Sequence, residues 1–252
     1  YYMIREDERD HAVIRLIDFE NPEKAIIFCR TKKDVDRLTQ TLLDAGYTAR
    51  GLHGDMEQPQ REEVIRNFRS EHLRLLIATD VAARGLSVSN VSHVFNYHLP
   101  FDHNNYVHRI GRTGRAGNKG IASTFLTNRE WRDLQRFEKA LGIKIQQKQV
   151  PNLDQVKASK RRHLIDKILS QSVHHETSHL MQLMQDVEPA VLASKLLSML
   201  IGEQVIMGPD QIGCEKRAFD SSKPPKGAQP SKKFRSHKPF PRRKTEGKKI
   251  RK

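Results

Sequence analysis

Strand-like and helix-like segments alternate through the first 150 residues, and this alternation constrains the fold more than any other feature. Short apolar runs, typical of buried strands, are separated by segments with apolar residues at helical spacing. Such alternation predicts parallel strands joined by helices that cover both faces of one sheet. We therefore expect an α/β domain with a doubly wound parallel sheet over residues 1–150. The predicted strands are 24–29, 48–52, 73–79, 91–97 and 120–126, and the predicted helices are 31–46, 58–69 and 128–142.

Local signals place the ends of these helices. Thr31 and Asn128 are residues that cap helix N-termini, and Pro59 suits a first helical turn. Gly46 and Gly142 suit helix C-termini, where the backbone often turns left-handed.

A second unit is predicted over residues 151–212. Apolar residues recur at helical spacing in 153–171, in 178–187 and after Pro189, which predicts a small all-α module. A unit of this size cannot bury such an apolar face alone. It must pack on the sheet domain or on a copy of itself, and we favour self-association into a homodimer.

The last segment, 213–252, is a polycation. From Glu215 to Lys252 it holds 15 Lys and Arg against 3 Asp and Glu, so most of the chain's net charge of +15 lies there. The segment is rich in Pro and poor in aliphatic residues, which predicts a disordered tail. Its charge predicts binding to nucleic acid or another polyanion.

Other features predict a cytoplasmic protein that does not enter a membrane. The two cysteines, Cys29 and Cys214, suggest no disulfide framework, so a reducing cytosol fits. No signal peptide is recognisable, and no apolar run approaches the roughly 18 residues of a membrane span. The chain begins at Tyr1 rather than at a methionine, so we expect that an N-terminal portion precedes it.

Arginines and hydroxyls cluster where the predicted strands end. ATDVAARGLSV (78–88) places Thr79, Asp80 and Arg84 after a buried strand, and HRIGRTGRAG (108–117) adds three more arginines. Ligands of open parallel sheets bind at the carboxyl ends of the strands, so these side chains indicate a phosphate site. Yet the chain contains no G-x-x-x-x-G-K-[ST] phosphate cradle.

Two further segments carry the same kinds of side chain. IIFCRTK (26–32) ends a predicted strand with Arg30 and Thr31, and QPQR (58–61) begins a predicted helix with Gln58 and Arg61. Such groups at strand ends and helix starts suit a nucleic-acid backbone.

Together these segments resemble the second lobe of DEAD-box RNA helicases, whose fold is RecA-like. IIFCRTK resembles motif IV, QPQR the Q-x-x-R element, ATDVAARGL motif V and YVHRIGRTGR motif VI. The helical unit and basic tail resemble the C-terminal extension of bacterial cold-shock-type members, in which a short helical module dimerises the enzyme.

The resemblance implies where the phosphate is held. In the family, ATP and Mg²⁺ are held mainly by a separate first lobe, and arginines of the second lobe reach across to the γ-phosphate. It implies that Arg112 and Arg115 are these arginine fingers and that Asp80 organises the motif VI arginines. It also implies an ATP-dependent RNA helicase in the full-length protein and an inactive fragment without the first lobe. The implied sites are Gly85, Ser87, His108, Arg109 and Asp80 for ATP binding or lobe coupling, and Arg30, Thr31, Gln58, Arg61, Thr79 and Arg84 for RNA.

Three alternatives remain open at this point. The helices and tail would also suit an ATP-independent RNA-binding or annealing module, and the lobe would suit a DNA-directed helicase of superfamily 2. HETSH (175–179) matches the H-E-x-x-H zinc signature, with His175 and His179 as ligands. We expect no metal there, because no third ligand is obvious in the sequence.

One departure from the family pattern generates a prediction. Motif V normally continues R-G-L-D, with the aspartate at the ATP ribose, whereas Ser87 stands at that place here. A hydroxyl lacks the strength of a charge-assisted hydrogen bond, so we expect the Ser87→Asp variant of the full-length enzyme to bind ATP more tightly. Equal affinities in a nucleotide titration would contradict this expectation.

Overall fold

The computed structural model describes residues 1–83, 91–115, 117–202 and 208–213, and within them a parallel sheet of six strands forms the centre. The strand order is β1-β6-β5-β2-β4-β3, with every neighbouring pair parallel. The predicted fold class is thereby confirmed. The strands are β1 (Tyr2–Met3), β2 (Ala25–Cys29), β3 (Ala49–Leu52), β4 (Leu75–Thr79), β5 (His93–Asn96) and β6 (Ile121–Leu126).

All of the predicted helices form, and the described residues contain three further α-helices. The helices are α1 (Arg9–Glu20), α2 (Lys32–Asp44), α3 (Gln58–Arg69), α4 (Asp80–Ala83), α5 (His103–Ile110), α6 (Asn128–Leu141), α7 (Leu153–Ser170), α8 (Thr177–Leu183) and α9 (Pro189–Gly202). The sequence patterns did not predict α1, α4 or α5. α8 is also shorter than the predicted helix over 178–187.

Most helix-end signals act as predicted. Thr31 caps α2 by accepting the backbone N–H of Asp34, and Gly142 ends α6 in the left-handed conformation, with φ of 65°. The predicted cap of α6 was wrong by one residue. Thr127 is the cap, because its backbone N–H and hydroxyl both bond to the carboxylate of Glu130 in a capping box.

Helices cover the sheet on both faces, because alternate strand residues point to opposite sides. Ile27 and Ile77 pack with α1 and α2 on one face. Ile26 and Leu76 pack with α3 on the other face. A third cluster joins β1 and β6 to α5 and α6 around Phe137. The carboxyl ends of β2, β4 and β5 are thereby held side by side at one edge of the sheet.

Two buried arginines fix α1 in this arrangement. Arg9, 1% exposed, donates to the backbone oxygens of Tyr97 and Phe125 and pairs with Glu130 at 3.0 Å. Arg15, also 1% exposed, donates to backbone oxygens of residues 151, 209 and 210. The first arginine therefore ties α1 to the sheet, and the second ties it to the segments before and after the C-terminal helices.

The C-terminal helical unit divides into a docked and an exposed part. On α7, Val156 is fully buried, Ser159 donates to the backbone oxygen of Phe19 at 2.7 Å, and Lys160 pairs with Asp18 at 2.6 Å. The unit thus packs against α1 of the sheet domain through α7, the alternative that we did not favour. α8 and α9 instead expose many large apolar side chains, namely Leu180, Met181, Leu183, Val191, Leu196, Leu197, Met199, Leu200 and Ile201.

Two other sequence predictions concern the basic tail and membrane spans. The predicted disordered basic tail lies, from residue 214 onward, outside the described residues. Among the helices that the structure describes, none has the length and apolar character needed to cross a membrane.

The close approach at Gly120 generates a prediction. A Cβ atom at Gly120 would clash with Oγ1 of Thr113 and with the backbone nitrogen of Gly114. We expect Gly120→Ala to lower the free energy of unfolding by about 1–3 kcal/mol through overpacking. Gly54→Ala is the matched control, since nothing lies within 4 Å of its added Cβ. Denaturant titration checks both variants, and equal stabilities would contradict the prediction.

Candidate functional site

An ion pair between a buried arginine and a partly exposed aspartate joins two of the predicted site residues, Arg109 of α5 and Asp80 of α4. Arg109 Nε donates to Oδ1 of Asp80 at 2.6 Å, and Nη2 donates to Oδ2 at 2.8 Å. Nη1 donates to Oδ1 of Asn96 at 3.1 Å and to the backbone oxygen of His98 at 2.8 Å. The guanidinium also lies 5.1 Å from the ring centre of Phe28. Arg109 is 2% exposed, so its guanidinium braces the segments that follow β4 and β5 from inside the domain.

The chain after α5 is held by backbone contacts. The backbone oxygen of Arg112 accepts the N–H of Val91 at 3.2 Å, and the hydroxyl of Thr113 donates to the oxygen of Val91 at 2.5 Å. Nε of Arg115 donates to the backbone oxygen of Gly111. Both arginines predicted as fingers are therefore carried on a short loop that follows α5 and is held at residues 112 and 113 by the segment before β5.

The electrostatics of this loop suit an anion. Arg112 is half-buried, Arg115 is exposed, and Arg112 lines a small cleft with Asp80, His108 and Arg109. Burial first, and the positive charge of Arg115 second, lower the pKa of Arg112 from its usual value. An anion beside these two guanidinium groups would offset their mutual repulsion. The residues present therefore fit a phosphate group.

Arg30, at the end of β2, is held by a glutamate that the sequence patterns did not reveal. Arg30 Nη2 donates to Oε1 of Glu130 at 3.1 Å and to the backbone oxygen of Leu99 at 3.2 Å, and the guanidinium lies 5.3 Å from the Phe101 ring centre. Its side chain remains 37% exposed. Glu130 thus joins the exposed Arg30 to the buried Arg9.

The protonation states of this cluster are fixed by burial and charge. Burial would raise the pKa of Glu130, but the charge of Arg9 and the N–H of Thr127 hold it below its usual value. Burial, together with Arg9, lowers the pKa of His98 to about 4. His98 is therefore neutral at pH 7, and its Nδ1 lies 3.4 Å from the backbone nitrogen of Arg30.

The other predicted RNA contacts lie at the same edge of the sheet. The Thr31 hydroxyl is engaged as a helix cap and donates to the carboxylate of Asp34 at 2.6 Å. Gln58 is exposed in the first turn of α3, and Thr79 is half-buried at the end of β4. Nε of Arg61 is buried and has no hydrogen-bond partner among the described residues. A buried donor of this kind usually has a partner, so Arg61 is the member of this group whose geometry points most directly to a ligand.

Three predicted site residues cannot be placed, and the histidines of the zinc alternative can. Arg84, Gly85 and Ser87 lie outside the described residues. In HETSH, His175 precedes α8, which begins at Thr177, so the two histidines do not share one helical face as the zinc signature requires. Among the described residues, no group of three or more His, Cys, Asp or Glu is placed to hold a metal.

The chain is similar in sequence to known helicases. Residues 8–117 match the family model described as the helicase conserved C-terminal domain. The chain is 40% identical over 241 residues to the DEAD-box ATP-dependent RNA helicase RhpA of Helicobacter pylori strain B128, covering 96% of this chain and 46% of that protein. The chain thus spans about half the length of this curated relative.

Two of the similar solved structures are of the DEAD-box protein Dbp5. The C-terminal domain of the DEAD-box protein Dbp5 is 34% identical, with a TM-score of 0.57, over 64% of this chain and 95% of that one. A structure of Saccharomyces cerevisiae Dbp5 bound to RNA and ADP BeF3 is 34% identical, with a TM-score of 0.57, over 65% of this chain and 44% of that one.

The buried ion pair generates a prediction about stability. Asp80→Asn leaves the charge of Arg109 buried without its carboxylate, and we expect the free energy of unfolding to fall by about 2–3 kcal/mol. Asp133→Asn is the control, because it breaks a 3.0 Å pair with Arg136 whose side chains are both half exposed or more. Such surface pairs contribute about 0–1 kcal/mol. If both variants unfold at the same denaturant concentration, the ion pair does not have the structural role described here.

Proposed function

Because the chain belongs to the DEAD-box RNA helicase family and forms its C-terminal helicase domain, we propose that it completes an ATP-dependent RNA helicase. Its contribution to hydrolysis is the pair Arg112 and Arg115. One observation carries this proposal: the two arginines lie on one loop directly after α5, and Arg112 lines a cleft with Asp80, His108 and Arg109. Like charges held together on a rigid support favour an anionic ligand.

The two arginines act as positive charge placed in advance. When bound, ATP with Mg²⁺ supplies the phosphoryl group, and both are held mainly by the first lobe. Arg112 and Arg115 stabilise the negative charge that develops on that group, and their support means that little reorganisation is needed. His108 couples the two lobes, while Arg109 and Asp80 brace the loop. The chain alone, which lacks a phosphate cradle, neither hydrolyses ATP nor unwinds RNA.

RNA lies along the same edge of the sheet in this proposal. Arg30, Arg61 and Thr79 contact the sugar-phosphate backbone, with Thr31, Gln58 and Arg84 beside them. Two features support these contacts: the guanidinium of Arg30 is partly exposed, and the buried Nε of Arg61 has no partner in the part of the chain that the structure describes. Binding through phosphates and sugars gives little sequence preference. The yeast relative solved with RNA and ADP BeF3 supports this ligand class.

Self-association is a further part of the proposal. A shallow groove along α9 is lined by the small residues Ala190, Ser194 and Ser198 together with Val191 and Met199. Small residues one turn apart allow another helix to approach closely, and the exposed apolar side chains of α8 and α9 offer it a surface to bury. A second copy of the chain would cover this surface in a homodimer.

The basic segment 215–252 tethers RNA outside the cleft by counterion release, without sequence preference. The composition of this segment, 15 basic against 3 acidic residues, supports that role. A cytoplasmic location agrees with an RNA substrate and with the fully buried, unpaired Cys29.

The arginine pair generates a prediction about turnover. In the intact two-lobed protein with saturating RNA, we expect Arg112→Gln combined with Arg115→Gln to reduce steady-state ATP turnover by roughly 10³-fold or more. Arg136→Gln is the control, because this substitution removes the charge of an exposed arginine on α6, away from the site. Turnover equal to that of the control would overturn the proposed role.

The apolar surface generates a prediction about mass. We expect light scattering of the full chain to give a dimer, and Leu183→Asp with Met199→Asp, at side chains 70% and 72% exposed, to give a monomer. Val173→Asp is the control, because this residue is 83% exposed but precedes α8. A monomeric mass for the unmodified chain at high micromolar concentration would contradict self-association.

A further inference from the structure

A cleft of about 540 Å³ lies at the N-terminal ends of β3 and β4. Asp80 lies at the opposite, C-terminal ends of the strands. Its walls come from the end of α1, the segments that enter β3 and β4, and the helices α7 and α9. None of the residues predicted for ATP or RNA lines this cleft among the described residues. It is therefore distinct from the site described above.

Three cations and one carboxylate line the cleft. Asp18 is the carboxylate, and it pairs with Lys160 at 2.6 Å and accepts the Tyr47 hydroxyl at 2.6 Å. Asp18 therefore neutralises Lys160 but leaves the charges of Arg74 and Lys167. The described residues that line the cleft thus carry a net positive charge, which favours an anion.

Arg74 is held in place without being neutralised. Its Nη2 donates to Oδ1 of Asn21 at 3.0 Å and to the backbone oxygen of Pro22 at 2.7 Å. Both acceptors are neutral, so they orient the guanidinium and leave its charge available. A fixed guanidinium binds phosphate with little loss of side-chain freedom.

The cleft also has an apolar wall, formed by the partly exposed Tyr47, Leu164 and Leu200 above the buried Ile17 and Leu75. A small inorganic anion would leave this wall uncovered, whereas a purely apolar ligand would leave the cations unpaired. A nucleotide has both parts, a phosphate and a flat base with apolar faces. The volume is also within the range that holds a small organic ligand.

We infer that this cleft binds one nucleotide, with its phosphate against Arg74 and Lys167 and its base against the apolar wall. An RNA chain and a free nucleotide share this chemistry. If the nucleotide belongs to an RNA chain, the inference rests on the proposed function, because RNA must then contact the domain at both ends of the strands.

The test uses the full chain with labelled Ile and Leu methyl groups in NMR titrations. The probes are a five-residue oligouridine RNA, UMP and a hexaglutamate peptide. We expect the methyl resonances of Ile17, Leu75, Leu164 and Leu200 to shift. Shifts at lower concentrations of RNA than of UMP assign the cleft to an RNA chain, and equal concentrations assign it to a free nucleotide. Shifts with hexaglutamate alone would overturn the inference.

Two variants locate the binding on one face of α7. Lys167→Glu should weaken the titration of these methyl groups roughly tenfold or more, by removing a charged contact to phosphate. Arg162→Glu makes the same charge change on the same helix at an exposed position that does not line the cleft. Equal weakening by both variants would overturn the inference, because it would indicate general charge attraction.

The inference and the proposed function fail in different ways. If the cleft methyl groups stay silent while resonances elsewhere respond to RNA, the inference is overturned and RNA binding by the domain still stands. If no resonance responds to RNA, the proposed RNA contacts fail as well.

Discussion

The ion pair between Arg109 and Asp80 is the interaction on which the arrangement of the site depends. A guanidinium that is 2% exposed is stable only where its charge and N–H groups are satisfied. Asp80 supplies the charge, and Asn96 and His98 supply two more acceptors. Since these partners follow or end two different strands, α5 can occupy only one position against the sheet. The position of α5 in turn determines where the loop with Arg112 and Arg115 begins.

Most of the sheet domain could be predicted from the sequence, and the exceptions have a physical reason. The apolar strand runs and the amphipathic α2, α3 and α6 have the periodicities that their half-buried surroundings require. α1 has no clean periodicity, because eight of its twelve residues are buried between the sheet and α7. Three of those eight are charged: Arg9 and Asp18 form ion pairs inside the protein, and Arg15 donates to backbone oxygens. No local pattern distinguishes such residues from surface ones.

The site was predicted in part for a similar reason. Arg30, Arg61, Arg112 and Arg115 stand in short motifs, so their positions could be read from the chain. Glu130 stands in no such motif, and locally it has only the spacing of a helix-capping residue. Its contacts to Arg9 and Arg30 lie 121 and 100 residues away, so only the folded structure reveals them. The sole local signal was an acidic residue three positions after Thr127.

The anion sites that we propose at the two ends of the strands also differ in how they are built. At the carboxyl ends of the strands, the Arg109–Asp80 ion pair holds α5, and the loop after α5 carries the two arginines that we propose to contact a phosphate supplied by another lobe. At the opposite ends of the strands, α7 packs on α1, and residues of both helices line the cleft. The helical unit thus shapes the domain surface in addition to presenting the apolar residues of α8 and α9.

The most direct test of this account is a double-mutant cycle on ATP turnover in the two-lobed protein. It compares Asp80→Asn, Arg109→Gln and their combination at saturating RNA. If the two side chains act only as one brace for the arginine loop, the combined variant loses no more turnover than the more damaged single variant. Losses that multiply would show two independent roles, and they would contradict the claim that this ion pair positions Arg112 and Arg115.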